Sequence, residues 1–95
     1  MLDTLRCEDF EPHLHSPFDL RAGDANAALE LIEVRRLPVH ATARPPFALL
    51  FRGAGTTIWP QRIYRLSRTG LDTLDIFLVP VARDESGVMY EAIFS

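Results

Sequence analysis

The sequence predicts an all-β domain, about six antiparallel strands in a meander that forms a small barrel or a tight sandwich, with a short N-terminal helix. Three observations carry that expectation. In the second half of the chain four apolar runs of strand length, at 47–51, 63–66, 74–81 and 89–94, alternate with polar turns. Each run is too short, and too rich in β-branched or aromatic residues, to make a convincing helix. Within the runs apolar side chains recur at every second residue, the period of a pleated strand. The 95 residues make one domain that buries roughly 60–65% of its unfolded surface. The organisation expected is a helical cap over 1–15 followed by a sheet over 18–94.

Near the N-terminus Leu5, Phe10 and Leu14 have the spacing of a short amphipathic helix, with Thr4 placed to cap its start. Pro12 holds that helix to two turns or fewer, unless it starts near Asp9 with Pro12 close to its beginning. Its expected work is to lay Phe10 and Leu14 over one open end of the sheet. Phe18-Asp19-Leu20-Arg21 alternates apolar and polar, and residues 22–26 behind it are turn chemistry, which together give a hairpin. Over 27–37 the residues Leu29, Leu31, Val34 and Leu37 keep the strand period except for a slip at Leu31-Ile32. A helix over 26–36 is the rival, because good helix formers place Ala28, Leu31, Ile32 and Arg35 on one stripe. A strand with a bulge is preferred, since the bulge accounts for the slip and two more strand-length runs follow.

Pro38, Pro45 and Pro46 make 37–46 a surface loop. The strand at 47–52 sets Phe47, Leu49 and Phe51 against Ala48, Leu50 and Arg52. Being nearly apolar on both faces, it is expected to be the most buried strand, covered on its second side by a loop, the helix or a partner chain. Gly53 and Gly55 lie in the next connection, but no third glycine and no Lys-Ser/Thr follows, so phosphate binding is disfavoured. Trp59 is either a lid over one end of the core or an exposed anchor for a partner.

In the strand at 62–67, Tyr64 and Leu66 face one side and Ile63 and Arg65 the other. A turn at Thr69-Gly70 leads to 74–81, where Leu74, Ile76 and Leu78 oppose Phe77, Val79 and Val81, and Pro80 points to a strand end or a sheet edge. Residues 83–87 close the last hairpin, and the return strand sets Tyr90, Ala92 and Phe94 against Glu91 and Ile93. That strand is expected either to seal a barrel against the first strand or to stand as an edge open to another chain.

At 47% hydrophobic and 24% charged the composition is that of an ordinary globular protein. Residues 1–15 have no apolar stretch of the kind a secretory signal carries, and the longest apolar run, 76–82, is far short of the ~20 residues of a membrane span. A cytoplasmic protein without membrane contact is expected, with incorporation into a larger assembly open. Cys7 is the only cysteine, so no intrachain disulfide forms.

All ten basic residues are arginine, as coding bias in a GC-rich genome would give. Residues 1–33 carry eight acids and two arginines, 34–71 seven arginines and no acid, and 72–95 five acids and one arginine. Such segregation means either an anion-binding face or acidic flanks that lie beside the basic middle within one fold, and strand pairing favours the second.

No stretch has the spacing of a catalytic or metal motif. His13 and His15 could share a strand face and bind a metal with His40 or Cys7, but Pro12 and Pro17 bracket them. Cys7, His13 and Asp19 could supply nucleophile, base and orienter, yet no motif surrounds the cysteine. Arg52, Trp59, Arg62, Tyr64, Arg65 and Arg68 interleave basic and aromatic groups as single-strand-binding barrels do. Net charge of −3 and a pI near 5.5 oppose nucleic acid. The plainer alternative has Tyr64 in the core and the arginines paired with Asp72, Asp75, Glu30 and Glu33.

The C-terminal half carries Pro46-Phe47-Ala48-Leu49-Leu50-Phe51-Arg52-Gly53, Pro60-Gln61-Arg62-Ile63-Tyr64-Arg65-Leu66, Leu74-Asp75-Ile76-Phe77-Leu78-Val79-Pro80 and Tyr90-Glu91-Ala92-Ile93-Phe94. In these four blocks it resembles a family of short bacterial proteins of unknown function, with the pattern PFxLLFRG, PQxxYRL, LFLVP and YEAVF. The first half, and Asp72 and Asp75, depart from that pattern. Members of that family are encoded beside phage-tail-collar-like or microcystin-dependent-protein-like genes, and the resemblance implies a role with a tail-like or filament assembly. It supplies no catalytic residue and no cofactor.

The expected function is therefore a non-enzymatic structural or protein-interaction module that binds a protein partner, or itself through an edge strand. The expected contact surface comprises Trp59, Gln61, Arg52, Arg62, Arg65, Glu91 and Ile93. The alternative is a small-ligand or anion-binding barrel using Arg52, Arg62 and Arg65.

Overall fold

Alternation of apolar and polar side chains becomes six strands in the computed structural model, which describes residues 6–38, 46–55 and 57–94. They are β1 (Pro17–Ala22), β2 (Ala25–Arg36), β3 (Phe47–Gly53), β4 (Arg62–Arg68), β5 (Leu71–Asp84) and β6 (Gly87–Phe94). Every ladder is antiparallel, and the sheet closes on itself in the order β1-β2-β3-β6-β5-β4. The predicted all-β fold is thus present, and of the two expected forms, barrel and sandwich, it is the closed barrel. Its connectivity departs from a plain meander at one place. β1-β2-β3 and β4-β5-β6 are each meanders, but the eight-residue connection 54–61 crosses the barrel mouth, so β3 pairs with β6 and β1 with β4, a Greek-key arrangement. The last strand therefore closes against β3, where the first strand was one of the expected partners.

Tight turns follow the sequence signals. Gly23 (φ 63°) and Gly70 (φ 93°) take the left-handed positions in the β1–β2 and β4–β5 hairpins. Gly87 (φ 135°) has a stricter reason to be glycine, because a Cβ there would drive into the Gly53 carbonyl.

β2 is the strand with a bulge, and the helical rival is absent. Its register against β3 shifts between Leu31 and Glu33, so that Leu29 and Leu31 before the bulge and Val34 after it all reach the core. Pro80 also lies at a register shift, between Pro80 and Ala82. A bulge is the second setting in which a strand tolerates a residue without an N–H, so the expected edge or strand end at Pro80 is replaced by a continuous β5 that runs to Asp84.

The barrel interior is filled by one side of every strand, including Phe18, Leu20, Leu31, Leu49, Phe51 and Leu78. β3 is buried on its inner face and at Ala48 on its outer face, as its composition suggested. The N-terminal segment keeps within the two turns that Pro12 allows: one α-turn, α1 (Cys7–Phe10), followed by a 3₁₀ turn at Glu11–His13 that carries Pro12 near its start. Asp9 opens it by accepting from the Arg6 N–H at 2.8 Å. Thr4 and Leu5 lie outside the described residues. Phe10 is fully buried over one mouth of the barrel, between Phe47 and Phe94 at 5.9 and 5.8 Å between ring centres. Leu14 does not join it and is 39% exposed, because the 3₁₀ turn ends before it. Of the loop over 37–46, residues 39–45 lie outside those described; at its base the Leu37 N–H donates to the Pro46 carbonyl at 3.1 Å.

Candidate interaction surface

Two tyrosines organise the mouth opposite α1. Tyr64 on β4 and Tyr90 on β6 point inward with their rings buried, which leaves each hydroxyl needing a partner. The Tyr90 hydroxyl accepts from the Trp59 backbone N–H at 2.9 Å, and the Tyr64 hydroxyl donates to the Pro60 carbonyl. These bonds fasten consecutive residues of the 54–61 connection over the core. The Trp59 ring lies edge-on to Tyr64 at 6.1 Å and packs against the core, half-buried. Trp59 is the lid of the two alternatives. Gln61 beside it is exposed, and Arg62 lays its guanidinium 5.4 Å from the Tyr64 ring centre. Burial raises the Tyr64 phenol above its ordinary value, against a smaller lowering by Arg62.

The other expected contact residues stand on the barrel's outer wall. Arg52 donates to Glu30 of β2 at 3.2 Å, Arg65 to Asp75 of β5 at 3.3 Å, and Glu91 accepts from Arg35 at 3.1 Å. The basic middle of the sequence is thus interleaved with its acidic flanks, and Arg36 continues the pattern by reaching Glu8 and Glu11 of the cap. Arg52 and Arg65 are neutralised by these partners, and Arg68 donates to His13 and to the Pro17 carbonyl. With Tyr64 in the core, the basic and aromatic residues that interleave in sequence do not form one stacking surface.

Ile93 is 55% exposed on the same wall. Three more exposed apolar residues of the outer wall are ones that the expected surface left out. Ile63 and Phe77 are directly paired across β4 and β5 and are 61% and 49% exposed, and Val81 further along β5 is 50% exposed. The signal was present in the sequence: Ile63 on β4 and Phe77 and Val81 on β5 alternate with the inward set, and a closed barrel buries only one face of each strand.

β6 does not stand as a free edge. It pairs with β3 from Val88 to Phe94 and with β5 from Gly87 to Glu91, so only Gly87 and residues 92–94 of the strand lack a second ladder partner.

The described residues hold no group of three or more metal-ligating side chains. His13 sits in the 3₁₀ turn and His15 follows it at φ 68°, so the two do not share a strand face, and His40 lies outside the described residues. Cys7, His13 and Asp19 are not brought together as a triad: the Cys7 thiol donates to Glu8 at 3.2 Å, His13 accepts from Arg68, and Asp19 is exposed on β1. Burial, then the bond to Glu8, pushes the Cys7 thiol up, which works against the thiolate that a nucleophile needs.

A family model described as a domain of unknown function matches residues 5–94. The chain belongs to the DUF6916 family. The expected membership of a family of unknown function is borne out, and the match takes in the first half of the chain as well as the second. No curated protein and no solved structure matches this DUF6916 chain. Among the described residues no helix is long and apolar enough to cross a membrane.

Proposed function

We propose that this DUF6916 domain is a non-enzymatic protein-interaction module, and that the outer wall of β4, β5 and β6 is the surface it offers. The observation that carries the reading is the exposed Ile63–Phe77 pair, with Val81 and Ile93 on the same wall. Inward-facing residues already fill the core, so these outer side chains contribute nothing to it, and clustered apolar exposure on a small domain marks a contact site. The ion pairs Arg65–Asp75 and Arg35–Glu91 give the surface a polar border, the anatomy of a protein contact with an apolar centre. Trp59, Gln61 and Arg62 lie at the mouth where β4 begins and extend the surface towards the lid.

The resemblance to proteins encoded beside tail-collar-like genes points to a partner in a tail-like or filament assembly. The test is co-expression of the tagged chain with the proteins encoded beside its gene, using wild type, the double variant Ile63→Asp/Phe77→Asp, and Trp59→Ala. Wild type is expected to retain one of them through purification and the double variant to lose it while melting within a few degrees of wild type. Equal retention by the folded double variant refutes the surface, and loss in Trp59→Ala alone moves it to the lid.

A further inference from the structure

The cap formed by α1 and its 3₁₀ turn is tied to the β4–β5 hairpin by an unusual bond. Arg68 Nε donates to His13 Nδ1 at 3.0 Å, and the same guanidinium donates to the Pro17 carbonyl at 3.1 Å. Arginine only donates, so His13 must accept at Nδ1 and carry its proton on Nε2. A second proton on the imidazole would put an N–H against an N–H and a cation against a cation. Arg68 is held by Pro17 and cannot turn away without losing a second bond.

We infer that His13 is an acid-sensitive latch, whose protonation releases residues 6–14 from the barrel mouth and uncovers the aromatic cluster beneath. The groups around His13 support that direction. On β1 it meets the Phe18 ring edge-on at 6.3 Å, and at the β4–β5 turn it meets Gly70; both are uncharged. Arg68 is the charged group facing it from β4. Of the cap's own acids, Glu8 and Glu11 are turned to Arg36 on β2, and Asp9 caps the first turn at the Arg6 N–H. Among the residues whose side chains the structure describes, Asp72 not being one of them, no carboxylate forms an ion pair with His13, whereas His15 lies 3.5 Å from Glu30. The two histidines therefore pull in opposite directions: a proton on His15 strengthens its contact and a proton on His13 destroys its own. Histidine is the side chain whose ordinary titration spans about pH 5–8. Glu8 is held below its usual value by a backbone hydrogen bond and then by the Cys7 thiol, so it stays charged through that range.

What the latch covers is apolar. Phe47 and Phe94 stack at 4.6 Å between centres with an interplanar angle of 4°, and Phe10 closes over both. Opening would present two stacked rings to solvent or to a partner.

The test is amide hydrogen exchange of the full chain at about pH 7.5 and about pH 5.5, corrected for intrinsic rates, in wild type, His13→Gln and His15→Gln. Gln keeps a neutral acceptor at position 13. Loss of one hydrogen bond and a like-charge contact is expected to speed exchange in residues 7–14 of wild type about tenfold at the lower pH, while the strands stay protected. His13→Gln should show no such acceleration, and His15→Gln should show at least as much as wild type. Equal protection of the wild-type cap at both pH values, or acceleration that persists in His13→Gln, overturns the latch. Should His13→Gln fail to fold, ¹⁵N spectra of the wild-type imidazoles decide: the Nε2–H tautomer is expected for His13 near pH 7.5, and the Nδ1–H tautomer refutes the bond on which the latch rests.

Discussion

At the cap end of the barrel Phe10 lies on Phe47 and Phe94, and no hydrogen bond from these rings fixes their position. At the lid end Tyr64 and Tyr90 hold the chain at Pro60 and Trp59 through their hydroxyls. Both mouths exclude water with aromatic rings, but they differ in kind. Dispersion and area burial depend on how much surface meets and hardly on direction, so the cap can be lifted as a unit by a change elsewhere in its contacts. A buried hydroxyl bonded to backbone fixes one register of the loop and resists any other. The comparison teaches where movement belongs in this fold: at the end sealed by packing, with the end sealed by hydrogen bonds acting as the fixed reference.

The largest effect expected is at the packed end. Phe47 is shared by the barrel core and the cap, so Phe47→Ala removes a buried ring from both and should cost about 3–5 kcal/mol in urea unfolding at 25 °C. A cost near that of an exposed residue would mean that the cap does not sit where Phe10 is placed. At the opposite mouth Gly87→Ala comes next. It puts a side chain at φ 135° and against the Gly53 backbone, for a loss of about 2–4 kcal/mol by the same measurement. A neutral result would show that β3 and β6 do not end against each other.

Tyr90→Phe sharpens the contrast further, because it deletes one oxygen and no apolar surface. It leaves the Trp59 N–H without its acceptor, for about 1–2 kcal/mol, and should raise proteolysis within 54–61 while leaving residues 6–14 as protected as in wild type. Tyr64 gives the matching pH test. Its phenol is raised by burial, so folding favours the neutral form. The stabilisation is complete below the ordinary tyrosine value of about 10 and is lost as pH rises through the higher folded value. Absorbance titration should find Tyr64 ionising later than free phenol, with melting temperature falling over the same interval. Ionisation of Tyr64 at the ordinary value would remove its buried place beneath the lid.

Much of this architecture was legible in the sequence because a period of two is set by the pleat itself. The inward set Tyr64 and Leu66, or Tyr90, Ala92 and Phe94, could be read directly, and the slip at Leu31-Ile32 marked a bulge before any register was known. Strand order was not legible. Nothing local distinguishes a connection that turns back into a hairpin from one that crosses a mouth, and residues 54–61 do the latter because two tyrosines distant in sequence, Tyr64 and Tyr90, grip it from below. Pro80 was misread for the same reason: absence of an N–H specifies a place without a ladder bond, and a bulge supplies one as well as an edge does. The proposed contact surface was half legible. Ile93 was singled out, but Ile63 and Phe77 were read as one side of two strands and only their pairing in β4 and β5 brings them together.

The smallest effect separates the wall from both mouths. Arg65 Nε and Asp75 Oδ1 are 3.3 Å apart and both side chains are mostly exposed. Water and salt screen such a pair, and ordering two flexible side chains offsets part of the attraction, so a double-mutant cycle with Arg65→Gln and Asp75→Asn should give a coupling of about 0.2–0.5 kcal/mol that shrinks as salt is added. The pair spans the same two strands as Ile63 and Phe77, which makes it an internal control for the proposed surface. If the wall is a contact site and not a support of the barrel, the four variants of the cycle should unfold at nearly the same urea concentration yet differ in partner retention. A coupling above about 1 kcal/mol would instead make the wall part of what holds β4 to β5, and the exposed Ile63–Phe77 pair would then be accounted for by the sheet alone.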